Sequence, residues 1–355
     1  MVFVRTTPPR PLDVAAVFPE LAPLARTAIR LHPRAGTPSV RDSSVGGPLL
    51  WPADEPWPHC ESTGHWDSGS RTYPAAVRLE RRRLERLHRD PDGPEFTPEE
   101  SAIKERNDAV LRERLDAGPP PAECPVPMLP VAQLYVRDVP LLRPPGQADL
   151  LQVLWCPYDH EPDAKPSTAL FWRRAAEVGE VLAAPPEPYE ADWRGDYVPE
   201  PCLLAPEQIT EYPSTFDLSP ELRQQVEDWS RWQAAGDAVD SSYADDPKEF
   251  YDAELADAPG WKVGGWPPWG RTDSIPRFCT VCEARMVPQL AIATFEWDGE
   301  SGSWIPYEDQ AAESAGSAVG RSPEQPTAIQ VGSADTMQLY VCPQSPTPPQ
   351  RPRAR

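Results

Sequence analysis

The chain is short of several things, and each shortage removes a class of function. Nowhere do 18 apolar residues run together, and the opening residues MVFVRTTPPR hold no continuous apolar stretch. Neither a membrane span nor export is therefore expected, which places the protein in the cytoplasm. Cations are scarce: 34 Lys and Arg stand against 55 Asp and Glu, a formal net charge of −21. Such a surface repels phosphate, so no nucleic acid and no membrane surface is expected as a partner. Cysteine is limited to seven scattered residues in 355, an odd number that fits reduced thiols or a metal site better than a disulfide framework. There is no G-x-G-x-x-G, G-x-x-x-x-G-K-[ST], H-E-x-x-H, G-x-S-x-G or EF-hand loop. With 55 carboxylates, any acid–base pair chosen from the sequence is arbitrary. The expectation is a protein that is not an enzyme.

What is present is enough for a folded body. Apolar residues make up 39%, with 13 Trp, 10 Tyr and 8 Phe, and 49 Pro with 20 Gly stay below the share typical of low-complexity chains. Prolines at this density belong at strand ends and loops, which argues against a helical bundle.

Self-similarity is the strongest pattern. Ser44-Val45-Gly46-Gly47-Pro48 returns as Lys262-Val263-Gly264-Gly265-Trp266-Pro267. Cys124-x-x-x-Met128-x-Pro130 returns as Cys282-x-x-x-Met286-x-Pro288. Asp149-x-x-Gln152-x-x-x-Cys156-Pro157 returns as Asp335-x-x-Gln338-x-x-x-Cys342-Pro343. Three pairs in one order, two of them built on scarce Cys and Met, point to an internal duplication. Strands are expected at 129–136, 150–156, 288–297 and 337–342, several apolar on both faces as in a sheet interior. Residues 27–32 alternate instead, with Ile29 and Leu31 on one side and Arg30 and His32 on the other. The fold expected is α+β: one β-rich body of two pseudo-repeated halves, with inserted helices and many Pro-rich loops.

The divisions follow. Residues 1–25 form an N-terminal segment, 26–215 the first half, 216–258 a bridging helix and acidic loop, 259–343 the second half, and 344–355 a disordered tail. The first half carries a helical insertion at about 77–118. Thr97-Pro98-Glu99-Glu100 there reads as a capping box, and the basic run Arg78–Arg89 as a solvated helix face, or more sharply as a basic docking surface. Ser219 opens a helix continuing to Ala235. Residues 310–326 read as a mobile loop.

Val45-Gly46-Gly47-Pro48 with Trp51 and Trp57, then Trp261 through Trp269 with Cys279-x-x-Cys282, resemble the YwqG-like family, a bacterial domain of unknown function. The resemblance runs from about Arg26 to Pro343. It implies paired Gly-Gly stretches and a Gln in the following strand, here Gln133 in the first half and Gln289 near the matching place in the second. The family is similar in turn to the eukaryotic domain of the programmed-cell-death-two type, a dedicated chaperone, and has members in toxin-immunity settings. The resemblance therefore implies protein binding. Where the family has a Gln after the second aromatic run, this chain has Trp269-Gly270-Arg271.

Two groups of residues could act. Trp51, Trp57, Trp266 and Trp269 stand beside Gly46-Gly47 and Gly264-Gly265, whose bare backbone admits another chain closely. With Gln133 and Gln289 they are the candidate binding residues of a cleft that holds an extended polypeptide, a basic one given the charge; the bland reading is that the indoles fill the core. Cys279 and Cys282 can reach one tetrahedral zinc from a tight turn, with Cys60 or Cys124 completing the site and His59 or His65 as further candidates. A structural zinc is the cofactor so implied, two reduced thiols the bland alternative, and a metal-dependent enzyme at Cys279 and Cys282 the alternative function. His160, just past a strand, reads as a catalytic or, more simply, a surface histidine.

Overall fold

The computed structural model describes residues 4–62, 65, 71–116, 125–160, 165–188, 191–192, 195–235, 241–269, 275–299, 301–311, 322–333 and 335–344. Cys124, the tail beyond 344 and most of the 310–326 loop lie outside the described residues. The fold is α+β and rich in antiparallel strands. Among the described residues no helix is long and apolar enough to cross a membrane.

Two sheets carry it. The strands used below are β1 (Arg26–Arg30), β2 (Arg34–Ala35), β3 (Ser44–Val45), β4 (His59–Cys60), β5 (Leu129–Tyr135), β6 (Leu150–His160), β7 (Lys165–Arg173), β8 (Cys202–Leu203), β9 (Glu207–Glu211), β10 (Lys262–Gly264), β11 (Val287–Ala293) and β12 (Thr336–Val341). One sheet runs β2-β8-β3-β5-β6-β7 and the other β9-β1-β10-β11-β12.

Their registers run in parallel. In the first sheet Pro130 faces Leu154 and Ala132 faces Val153, with one residue bulged between. In the second, Pro288 faces Tyr340 and Leu290 faces Leu339, again with one residue bulged. Proline cannot donate to a ladder, so the bulge falls beside it in both places. Val45 faces Ala132 as Val263 faces Leu290, which puts each Gly-Gly pair at the same end of its strand. The stretches ending at Pro157 and Pro343 each include the strand that pairs with the bulged one. In this register the counterpart of Gln133 is Ala291, facing Gln338 as Gln133 faces Gln152. Gln289 sits at the bulge itself, opposite no residue.

The two sheets are interlocked by strands from early in the chain. β1 pairs with β10 of the later sheet, Ile29 against Val263. β9 joins the same sheet on the other side of β1, Ile209 against Ala28, while β8, just before it, pairs with β3 of the earlier sheet, Cys202 against Val45. At the crossing, Leu31 N–H donates to Trp261 O and Ala205 N–H donates to Leu31 O. Both sheets feed one core containing Ile29, Val45, Leu134, Val153, Val263, Leu290 and Ile292, so removing either sheet would expose the other's inner face.

Helices cover the rest. α1 (Pro74–Arg89) is held down by Arg81, whose guanidinium donates to Val198 O, Gly195 O and Ala328 O. The basic run is therefore not wholly a solvated face. α2 (Pro98–Asp116) opens with the capping box: Glu100 N–H donates to Thr97 Oγ1 and Thr97 N–H to Glu100 Oε2. The bridging helix expected from Ser219 to Ala235 is two helices, α3 (Pro220–Val226) and α4 (Trp229–Ala234). Asp228 caps the second by accepting from Ser230 N–H, and the break lets Val226 and Trp232 both enter a second core with Phe18, Leu21, Phe250 and Tyr251.

A buried polar layer underlies β1. Arg30 and His32 are wholly buried, against the alternation expected to face solvent. Arg30 donates to Thr7 Oγ1 and Trp304 O, and His32 lies 3.1 Å from Glu207 and 3.6 Å from Glu296. Burial alone would raise the Glu296 carboxyl, but the nearby His32 ring and the charge of Arg34 outweigh it and leave the group lowered. Residues 4–10 and 296–309, distant in sequence, close this layer.

Candidate functional site

The Trp and Gly-Gly positions are spent on the protein's own packing. Trp51, Trp57 and Trp266 are buried, Trp51 to 1% exposure. Their indole N–H groups donate to Glu55 O, Met128 O and Leu24 O. Arg26 stacks on Trp266 and Arg173 on Trp51. Only Trp269 stays half-buried, donating to Asp217.

The close approach read into the glycines is also internal. Gly46 has φ +62, and a Cβ there would lie 2.6 Å from Glu200 O; at Gly265, φ +67, it would lie 2.2 Å from Glu211 Oε2. Glu211 takes that space to accept from Trp266 N–H, Ala258 N–H and Lys262 Nζ. Gly47 and Gly264 are likewise packed, against Pro38 and Ser44 and against Leu141. Buried Gln133 clamps the 40–50 loop, accepting from Leu50 N–H and donating to Val40 O. Gln289 is buried and its amide nitrogen has no protein partner. Two surface clefts of about 410 Å³ each, one by Trp172 and Glu177 and one by Thr37, Arg82 and Glu200, include none of the ten residues. Trp51, Trp57, Trp266 and Gln133 are thus engaged in the core, and of the four tryptophans Trp269 is the one left partly open.

The thiols gather in two places. Cys279, Cys282 and Cys342 form one group whose sulfurs lie within 4.8 Å of one another. A tight turn builds it. Phe278 bridges Arg285, Cys279 N–H donates to Ala284 O, Glu283 N–H donates to Cys279 O, and Met286 N–H closes on Arg277 O. Glu283 takes φ 56, the left-handed step that turns the chain just after the second Cys. The turn aims backbone N–H groups at sulfur: those of Val281 first and Cys282 next draw the Cys279 thiol down from 9.0 to about 7. An N–H from Ala284 acts the same way on Cys282, but the hydrogen bond with Cys342, burial and the charge on Cys279 win, and that thiol is raised. Cys342, at the end of β12, stands with its sulfur 3.4 Å from that of Cys282.

Cys60 does not join them. It stands with Cys156, His65 and His160 in the first half, and His59 faces away, its ring against Trp57 O. The third thiol of the second group, Cys342, escaped the sequence reading because sixty residues separate it from Cys282. A signal existed: Cys156 and Cys342 end the repeated nonamers, so a site on one predicts a site on the other.

Around the three-thiol turn exposed hydrophobics stand among exposed Arg277, Glu283 and Arg285. Ile275, Phe278 and Val281 are 51%, 59% and 77% exposed, three large hydrophobics within seven residues. Cys282 is exposed beside them. Neither a family model nor a curated protein matches this chain.

Proposed function

We propose that this chain is a non-enzymatic, cytoplasmic protein-binding module of two pseudo-repeated halves, YwqG-like in kind, whose contact surface is the Cys279–Cys282 turn. The observation that carries the reading is the clustering of exposed Ile275, Phe278 and Val281 on one turn. Isolated exposed hydrophobics are ordinary, but three within seven residues on a braced turn are interface material. The hydrogen bonds that brace the turn supply the rigidity, and a zinc held by Cys279, Cys282 and Cys342 would complete it. The repeated registers support the duplication, and the net charge of −21 favours a basic client drawn in by long-range attraction.

The exposure of Cys282 gives the enzymatic alternative its one support, an open fourth position on that metal. Three thiolates load so much negative charge onto zinc that a bound water would be weakly acidified, which favours binding over hydrolysis.

Photo-crosslinking tests the reading. A photoreactive residue at Val281 is expected to give a specific adduct with a basic protein, weakened by salt, while one at exposed Leu84 on α1 gives none. Equal labelling from both positions would contradict it.

A further inference from the structure

Four side chains of the first half meet where the sequence places no recognisable motif. Cys60 on β4, His65, and Cys156 and His160 on β6 bring one ligand atom each to within 4.8 Å of all the others. Cys156 and His160 are four residues apart on one strand, and the ladder is irregular between Trp155 and Asp159, where the strand carries extra residues and brings both side chains to one cluster. His65 bridges to His160 across the backbone, and β4 is held in place by pairing with Val126 and Pro127.

The spacings suit a tetrahedron. Cys60 Sγ lies 3.7 Å from His160 Nε2, and Cys156 Sγ lies 3.4 Å from His65 Nε2. Zinc bonds of about 2.3 Å to sulfur and 2.0 Å to nitrogen put tetrahedral S and N ligands about 3.5 Å apart. The imidazoles meet edge to face at 4.8 Å between centroids, which turns their Nε2 atoms toward the sulfurs instead of stacking the rings. Both cysteines are buried and both histidines half-buried, so the centre is shielded yet within reach of the surface.

We propose that Cys60, His65, Cys156 and His160 form a closed, structural zinc site, distinct from the three-thiol turn and independent of the protein-binding reading. Two thiolates and two imidazoles balance the charge of Zn²⁺, and this donor set with four-coordinate geometry selects zinc over magnesium or calcium. The thiol protons leave on binding, as one acid–base step with no oxidant. The site pins Cys60 and His65, which precede the helical insertion, to β6.

The test uses the full chain carrying Cys279→Ser and Cys282→Ser, so that only this centre can bind. One zinc per chain is expected after purification. Replacement by Co²⁺ should give tetrahedral visible bands with charge transfer from two thiolates. Adding His160→Ala should weaken zinc binding by about a hundredfold or more, beyond the range seen for outer-shell partners. Adding His160→Cys, which keeps four ligands should the alanine variant unfold, is expected to retain zinc and strengthen the thiolate band. A double-Ser chain that carries no zinc and takes up no Co²⁺ overturns the proposal, as does Co²⁺ binding that His160→Ala and His160→Cys both leave unchanged.

Discussion

The two thiol centres differ in burial and in donor set. Cys156 lies within β6, four residues before its end, and Cys342 directly follows β12. In the first half two histidines join two buried cysteines; in the second a tight turn supplies Cys279 and Cys282, the latter exposed. A site shut by four protein ligands can only hold the fold, whereas one shut by three on an exposed turn can meet something else. The core around each site follows the same division, since Trp51 is fully packed and its sequence counterpart Trp269 is half-buried.

The sharpest way to break this contrast is to truncate those two indoles. Trp51→Ala should cost about 3 to 5 kcal/mol in denaturant unfolding, as for a large core aromatic, and Trp269→Ala clearly less. Equal costs would remove the asymmetry. Next is metal removal from the first centre. If free zinc stands at about a thousand times its dissociation constant, stripping it should lower stability by about 4 kcal/mol, seen as a drop in melting temperature that zinc restores. Gly265→Ala should cost about 1 to 3 kcal/mol, because the new Cβ meets Glu211 at a left-handed backbone position.

Smaller again is the pH effect of the buried layer beneath β1. Glu296 and Glu207 are lowered in the folded protein, so their stabilisation is complete above the unfolded value near 4.5 and is lost as pH falls through the folded values. Glu296→Gln should flatten the acid limb of a stability–pH curve; an unchanged limb would rule these carboxylates out as its source. The smallest effect on folding belongs to Phe278→Asp, within about 0.5 kcal/mol for an exposed site, while crosslinking from position 281 disappears.

Much of the sheet framework was legible because proline and cysteine mark strand ends. The strands expected at 129–136 and 337–342 lie within a residue of those observed, whereas the one expected at 150–156 runs on to His160. The capping box at Thr97 was legible for the same local reason. What the sequence hid depends on distant segments. Arg30 and His32 alternate like an exposed edge, but residues 4–10 and 296–309 fold over them and provide the partners. The aromatic and Gly-Gly runs resemble a binding surface because the same residue types that cradle a peptide also let Glu200 and Glu211 approach the backbone. Of the metal ligands, Cys279 and Cys282 were visible as a local turn. His65 and His160 belong together only after β6 is laid beside the 59–65 segment.

Timed metal release to a chelator, followed by native mass spectrometry of the full chain, tests the contrast most directly. Two zinc ions are expected at the start, the open three-thiol site giving up its ion quickly and the closed site slowly, with His160→Ala abolishing only the slow phase. A chain that never carries metal, or that loses both ions in a single phase, would contradict the division of labour between the two halves.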